Sequence, residues 1–437
     1  MRALFLEVET EAEWAVASIG PAFLAAFVRR HGHEVEMLRV PLAMTPDEVI
    51  AEVRVRRPGL LALSLTTRQW LRGRDLIREV RRSIDVPVVA GGLHPTFSGE
   101  EVLASPGFDF VCLGEGEETF RELLDALEAG AATGGIANLW MRGGVRPAIR
   151  PPFEPMDALP FLARDLLDEP PGVAHMTTQR GCPYPCTYCA ARNYDQLYKE
   201  IGTYGRRRSH ASVLAELAEL RDGRGLSYVI FLDDTFTLNR PWLEEFCRVY
   251  GEEFRVPFSL NARVETMDED LVGRLAAAGC WHITYGVESG SERLRREVLR
   301  RPVANRRFAD VFRWTCEAGI LVTANYMLGL PGETPADAEE TLALAAELPA
   351  DDFGYFVFYP YPGTPLFTVC RDRGYLPDDY LERPANHRES ILRLPDLSPA
   401  DIADLYERFT ALREQRFGER FGTAGATDHV RKYAATG

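Results

Sequence analysis

Short apolar runs bounded by turn residues alternate along this chain with longer stretches in which apolar residues return every three or four positions. The first pattern reads as buried strands, the second as helices packed on one face. Over the first 130 residues the predicted strands are 3–8, 34–40, 60–65, 86–90 and 108–113, and the predicted helices 21–30, 47–56, 72–84, 100–104 and 117–129. Gly32 stands where a helix C-cap is expected, and Thr45-Pro46 opens the next helix. Strict alternation with nearly continuous apolar strands predicts an α/β fold, a doubly wound parallel sheet covered on both faces. Its ligands are expected at the carboxyl ends of the strands.

Residues 131–171 lose this periodicity and gain Gly and Pro (GAATGG, PAIRPPFEP, DEPPG), which predicts a linker. The alternation then restarts. Strands are predicted at 174–179, 228–232, 258–262, 282–287, 321–328 and 354–359, with helices at 211–221, 241–254, 268–278, 291–299, 306–318 and 335–346 between and after them. Consecutive βα units of this kind predict a full or partial TIM-type (β/α)6 barrel. The expected layout is a parallel-sheet domain at 1–135, a linker at 136–171, the partial barrel at 172–366 and a helical extension at 367–437, where 400–417 is the clearest helix.

Charge narrows the function classes. Lys+Arg number 50 against 65 Asp+Glu, a net charge of -15. A nucleic-acid binder would show a basic stripe, which the acidity argues against without excluding local basic patches such as Arg206-Arg207-Arg208. The first residues, MRALFLEVETEAEW, lack the pattern of a signal peptide, and no apolar run reaches the ~18 residues of a membrane span. A cytoplasmic protein with reduced thiols is expected, so its eight cysteines read as metal ligands or core residues before disulfides.

Three of the eight fall in one loop, TTQRGCPYPCTYCAARNY, as Cys182-x3-Cys186-x2-Cys189. Thiolates select zinc or iron–sulfur centres. A structural zinc site needs four ligands, and neither His175 nor His210 has the spacing to complete one. An iron–sulfur cluster held by three cysteines keeps one iron open for a substrate. The loop follows a predicted barrel strand at its carboxyl end, where barrel active sites lie, and Gly181 gives the backbone room to enter it. The remaining cysteines, Cys112, Cys247, Cys280, Cys316 and Cys370, read as packing residues.

The cysteine triplet resembles the signature of the radical S-adenosylmethionine (SAM) superfamily. Other strand ends agree: FLDDTF (231–236), NAR (261–263), GVESGSE (286–292), GLPGET (329–334) and YPGTP (361–365). The resemblance implies a [4Fe-4S] cluster on Cys182, Cys186 and Cys189, whose open iron binds SAM. Carboxylates at strand ends can hold the ammonium or ribose diol of SAM, and an arginine can clamp its carboxylate. The implied SAM-binding residues are Tyr188, Asp233, Asp234, Arg263, Glu288 and Ser289, with either aspartate able to face the ligand.

The first domain resembles the cobalamin (B12)-binding, Rossmann-like domain of the B12-dependent radical SAM family. The residues that carry the likeness are Ser64, Thr66, Thr67 and Gln69, then Gly91, Gly92 and His94, then Gly114, Glu115 and Gly116, each group after a predicted strand. Many such domains place a cobalt-ligating His after the first strand, and residues 9–20 contain none. His31 and His33 read as solvated, His94 as a turn residue, and Arg68, Gln69 and Trp70 as candidates to cover the open cobalt face.

The resemblance implies C-methylation of an unactivated carbon in a small-molecule substrate. SAM would be consumed twice, once for its methyl group and once for the 5′-deoxyadenosyl radical. An external one-electron reductant such as flavodoxin or ferredoxin is implied. Radical cyclisation, ring contraction or oxidation without net methyl transfer is the alternative within the family. A non-catalytic corrinoid-binding or metal-stabilised protein is the alternative outside it. Tyr326, Tyr355, Tyr359 and Tyr361 could shape a pocket but read more naturally as core.

Overall fold

The computed structural model describes residues 1–11 and 18–435, with side chains through residue 420. The chain divides into two compact units. One comprises Met1–Asp168, Asn193–Tyr204 and Tyr361–Gly363; the other Glu169–Arg192, Gly205–Pro360 and Thr364–Gly437.

The first unit is built on β1 (Arg2–Val8), β2 (Glu34–Val40), β3 (Leu60–Ser64), β4 (Val88–Gly91), β5 (Phe110–Cys112) and β6 (Leu139–Met141), in the order β2-β1-β3-β4-β5-β6. The first five run parallel and β6 pairs antiparallel with β5. Along β1 and β3 the period of two sends Leu4, Leu6, Leu61 and Leu63 into one core. It sends Ala3, Phe5, Leu60 and Ala62 into the other. Burial on both faces is why these strands read as unbroken apolar runs. Strand order reverses at β1 and β3, the place where doubly wound sheets open a crevice for ligands.

The second unit contains β7 (Val173–Met176), β8 (Gln179–Arg180), β9 (Arg206–Arg207), β10 (Tyr228–Phe231), β11 (Phe258–Ala262), β12 (Cys280–Glu288), β13 (Leu321–Leu328) and β14 (Asp352–Val357). Six of them form a parallel sheet, β14-β13-β12-β11-β10-β7, and β8 pairs only with β9. β7 and β14 are the free edges, so the barrel is partial. The helices that cover it have defined ends. Asp268 accepts from Leu271 N at 2.8 Å to start the helix Glu269–Ala278, and left-handed Gly279 stops it. Between sheet and helices lies a cluster of rings, with Phe246 5.5 Å from Phe231, 5.3 Å from Phe236 and 5.1 Å from Tyr250. The terminal helix Pro399–Ala435 lays Phe409 against Tyr326 and Tyr355. Those two tyrosines are therefore core.

Several expectations shift. The helix read as 72–84 is Thr67–Val80, because Thr66 and Gln69 form a capping box that starts it five residues earlier. Two helices lie where turns were read, Leu93–Phe97 and Ala190–Tyr198. The stretch read as a linker supplies β6 and packs Met156, Leu159, Ala163 and Leu166 into the first unit's core. A three-residue edge strand has no period to detect. Arg206 and Arg208 are buried, and Arg208 pairs with Glu216 at 2.6 Å, so the basic run is no surface patch. His33 is likewise buried, 3.0 Å from Asp125, rather than solvated.

Truncating Phe246 to Ala should destabilise the second unit by about 3–5 kcal/mol, the usual cost of removing a fully buried aromatic ring. Denaturant unfolding followed by circular dichroism would show this as a lowered midpoint; an unchanged midpoint would mean the ring cluster does not carry the packing.

Candidate active site

Asp233 sits just past the end of β10 and bends the chain after β7. Its Oδ1 accepts from the amides of Thr178 and Gln179, both at 2.8 Å, and its Oδ2 from the Thr178 hydroxyl at 2.9 Å. These bonds draw residues 178–179 out of the main sheet, and the strand expected to reach 179 ends at Met176. The cysteine loop begins there, through left-handed Gly181. With its carboxylate so engaged, Asp233 holds the chain at 178–179 and does not line the cavity. Burial pushes its carboxyl up to about 6. The neighbouring Asp234 lines the site instead.

The site is a cavity of about 230 Å³ at the carboxyl ends of β10 to β13, lined by Cys182, Cys186 and Cys189 together with Tyr184, Tyr188, Asp234, Asn261, Arg263, Glu288, Arg301 and Asn325. A chain of alternating charges crosses its wall. Arg263 donates to Cys186 Sγ at 3.2 Å and pairs with Glu265. Glu265 pairs with Arg301 at 3.1 Å, and Arg301 Nη1 reaches Glu288 at 3.4 Å. The Tyr188 hydroxyl donates to the same Glu288 oxygen at 2.9 Å. Burial alone would lift the Glu265 carboxyl, but the Arg301 and Arg263 guanidiniums outweigh it and hold the group below its ordinary value. Glu288 is raised, because its burial exceeds the help it gets from Arg301 and Tyr188.

Glu288 is aimed by its backbone. The pairing of β12 with β13 slips between Gly286 and Glu288, and Glu288 takes φ +70°. A bulge of this kind re-aims a side chain, and a left-handed non-glycine residue costs roughly 1–2 kcal/mol. Gly286 leaves the space the carboxylate needs, since a Cβ there would lie 2.2 Å from Glu288 Oε1. Ser289, expected beside it in the site, is fully buried. Its hydroxyl lies 3.1 Å from Thr341 Oγ1 and accepts from Ser291 N, so it holds the following turn and does not line the cavity. Glu265 and Arg301 were not anticipated. Neither stands in a strand-end motif, and only their proximity in space reveals them.

At the rim of the first unit, the expected residues divide in two. Ser64, Gly91, Gly92 and Gly114 are half-buried at the ends of β3, β4 and β5, and Thr66 is exposed. The others are engaged within the chain. Gln69 accepts from Thr66 N at 3.0 Å and donates to the Val8 carbonyl at 2.9 Å. Thr67 is buried at the start of its helix. The Glu115 carboxylate accepts from Phe153 N at 2.7 Å, and Gly116 is buried before the helix Glu117–Glu128. His94 is 3% exposed and stacks on Trp70 at 4.9 Å, and burial lowers its pKa to about 3. The ring is buried within the unit, with Nδ1 3.4 Å from the Thr67 hydroxyl and Nε2 3.7 Å from Glu101. Residues 12–17, within the loop that lacks a histidine, lie outside the described residues.

Comparison with known proteins bears on both units. Residues 176–345 match the Radical SAM superfamily and residues 10–124 the B12 binding domain. An uncharacterised methyltransferase of Pyrococcus horikoshii is 30% identical over 365 residues, 80% of this chain and 77% of that one. The chain belongs to the cobalamin-dependent radical SAM enzymes. Among its relatives are the anaerobic magnesium-protoporphyrin IX monomethyl ester cyclase of Cereibacter sphaeroides (26% identity, 84% of this chain, 62% of that one) and the cytidylyl-2-hydroxyethylphosphonate methyltransferase of Streptomyces wedmorensis (23%, 90% and 85%). The fold is also that of the radical SAM methyltransferase TsrM of Kitasatospora setae, at TM-score 0.70 and 22% identity over 93% of this chain and 85% of that one. Membership in this family brings a [4Fe-4S] cluster, SAM and cobalamin as cofactors.

The residues present fit these groups. The three cysteines are free thiols lining one cavity. Each sulfur has an N–H donor: the Tyr184 amide for Cys182, the Ala191 amide for Cys189 and Arg263 for Cys186. Burial lifts the thiol of Cys182 and, to about 12, that of Cys189, so a thiolate there needs a metal cation beside it. Among the described residues no three His, Cys, Asp or Glu side chains converge on one ion position. Cluster cysteines each take a different iron and need no such convergence. The candidate zinc histidines are elsewhere, His210 against the Trp242 carbonyl and His175 near Glu169. On the first unit, Gly92 at φ +92° and Gly114 at φ +71° hold the strand ends in conformations that larger residues resist, and each is packed closely, Gly92 against Leu65 and Gly114 against the Tyr198 ring.

The strand-end motif GLPGET (329–334) contains a buried acid. Glu333 is 1% exposed, accepts from Leu330 N at 2.8 Å through Oε2, and has no hydrogen-bond partner for Oε1 among the described residues. Burial pushes its carboxyl up to about 7. An acid whose folded pKa is raised binds its proton more tightly in the native state, so stability falls as pH rises from about 4.5 to 7. Glu333→Gln should therefore be the more stable protein at pH 8, by of order 1–3 kcal/mol, and close to the unaltered protein at pH 5. Equal denaturation midpoints for the two at both pH values would contradict this.

Proposed function

We propose that this enzyme transfers a methyl group from SAM to an unactivated carbon of a small-molecule substrate. The observation that carries the reading is a single cavity holding three cysteine sulfurs and a charged wall suited to a zwitterion, in a chain that also has a B12 binding domain. Relatives named as methyltransferases favour methyl transfer over other radical outcomes. The relative named as a cyclase supports the second reading, a radical reaction without net methyl transfer.

Cys182, Cys186 and Cys189 would hold the cluster, which when bound would supply the electron for reductive cleavage of SAM, while cobalamin would carry the methyl group. Arg263 offers N–H donors to the carboxylate of SAM. Glu288 and Asp234 supply acceptors for its ammonium or ribose diol, and the Tyr188 hydroxyl orients Glu288. Arg301 balances the charge of Glu288 and Glu265, so the wall keeps its shape before a ligand enters. Ser64, Thr66, Gly91, Gly92 and Gly114 are the residues we assign to cobalamin, within the first unit. His94, buried on Trp70, takes no part as a cobalt ligand. The electron comes from an external donor such as flavodoxin or ferredoxin, in a reducing, cytoplasmic setting.

With SAM labelled at its methyl group, the label should enter the substrate, and both S-adenosylhomocysteine and 5′-deoxyadenosine should form. Cys186→Ala protein should give no 5′-deoxyadenosine. Conversion with 5′-deoxyadenosine but neither label transfer nor S-adenosylhomocysteine would replace methyl transfer by the cyclase-like reading. A second expectation concerns cobalt. Electron paramagnetic resonance of the cobalt(II) protein should show no nitrogen splitting from a protein imidazole; a clear splitting would return His94 to the site.

A further inference from the structure

The three sulfurs of the cavity differ in what faces them. Cys182 and Cys189 take donors from amides two residues on in their own loop. Cys186 faces a full positive charge, the Arg263 guanidinium, at 3.2 Å. That guanidinium is held on several sides. The Tyr184 ring lies 3.8 Å from its centre. Glu265 binds its Nη2, and Glu265 is itself held by Arg301 at 3.1 and 3.3 Å. Arg263 and Arg301 are 9% and 2% exposed, so Arg263 cannot swing off the sulfur without breaking buried ion pairs. Its Nε is buried without a hydrogen-bond partner among the described residues.

We propose that Arg263, pinned by Glu265, sets the reduction potential of the cluster through the Cys186 sulfur, beyond any part it takes in binding SAM. This rests on the cluster reading above. Reduction adds one electron and no proton to the cluster, drawn from a low-potential one-electron donor. The added negative charge is shared by the sulfur ligands. A fixed cation with an N–H on one of them stabilises the reduced form more than the oxidised form. Burial keeps solvent from screening that interaction. Arg263 therefore raises the potential above that of the same cluster without it.

The test is a dithionite titration of the reconstituted full-length protein without SAM, followed by electron paramagnetic resonance. Arg263→Gln should lower the potential, leaving about tenfold less reduced cluster at a fixed solution potential, about 59 mV for a one-electron couple. Arg263→Lys, which keeps the charge but loses the two-ended contact, should recover part of the shift. SAM binding is measured apart, by equilibrium dialysis. An unchanged potential in iron-loaded Arg263→Gln, with weakened SAM binding, overturns the proposal and leaves Arg263 a ligand contact only. If that variant retains too little iron to titrate, Arg263→Lys decides. It keeps the charge but loses the two-ended hold on the Cys186 sulfur and Glu265, so its potential should lie below that of the unaltered protein; an equal or higher potential refutes the role. Iron and sulfide content of the unaltered protein tests the cluster reading separately, so failure of that reading is distinguishable from failure of this one.

Discussion

A parallel sheet sends the carboxyl end of every strand to one rim, and the chemistry of the second unit depends on that constraint. Asp234, Arg263 and Glu288 are separated by 29 and 25 positions in the chain, yet stand at or just beyond the ends of β10, β11 and β12, which are neighbours in the sheet. Helices return the chain to the opposite edge each time, so every strand can end on a polar residue without burying it in the core. The cysteine loop joins the same rim because Asp233 pulls residues 178–179 off the sheet. One buried carboxylate thus decides where the metal-binding loop starts.

Collecting polar groups on a rim creates a problem of charge. Arg263 and Arg301 are buried, as is most of Glu288, and isolated charges in such a place would be costly. The wall meets this by alternating sign from Cys186 through Arg263, Glu265, Arg301 and Glu288 to Tyr188. Removing one member would leave a neighbour unpaired. The left-handed backbone at Glu288 is a further cost borne at this site, and the packed turn around Ser289, Ser291 and Thr341 is what holds it there. A pre-formed, charge-balanced wall needs little rearrangement to accept a zwitterionic ligand.

The first unit follows the same topological rule with the opposite chemistry. Its rim is made of glycines, a serine and a threonine, and carries no alternating ionic wall of this kind among the residues assigned to cobalamin. Two of these glycines are covered from within the unit, Gly92 by Leu65 and Gly114 by Tyr198, so small size there serves close packing of the chain on its own strand ends. The polar residues near the rim, Gln69, Glu115 and His94, are turned inward to hold the helices and loops that shape it.

Apolar periodicity alone determined most of the strands, because burial on both faces leaves an unmistakable run; β2, β11 and β13 end where the pattern ends. Cysteine spacing and the strand-end motifs determined the family, since ligand count and motif order are properties of the chain itself. Edge strand β6 and the helix Ala190–Tyr198 were hidden, one too short for a period and the other lying where the cysteine motif read as loop. Which aspartate faces the cavity was also out of reach. Asp233 and Asp234 are adjacent and chemically identical, and only the amides of Thr178 and Gln179, 54 and more positions earlier, choose between them. The same holds for Ser289, Gln69 and His94, polar residues of the motifs whose side chains packing engages within the chain. Glu265 and Arg301 show the converse, residues outside every motif that tertiary contact brought into the ion-pair network of the cavity wall. Motifs mark the strand end a side chain leaves from; the partners that capture it come from distant parts of the chain, and only the fold brings them within reach.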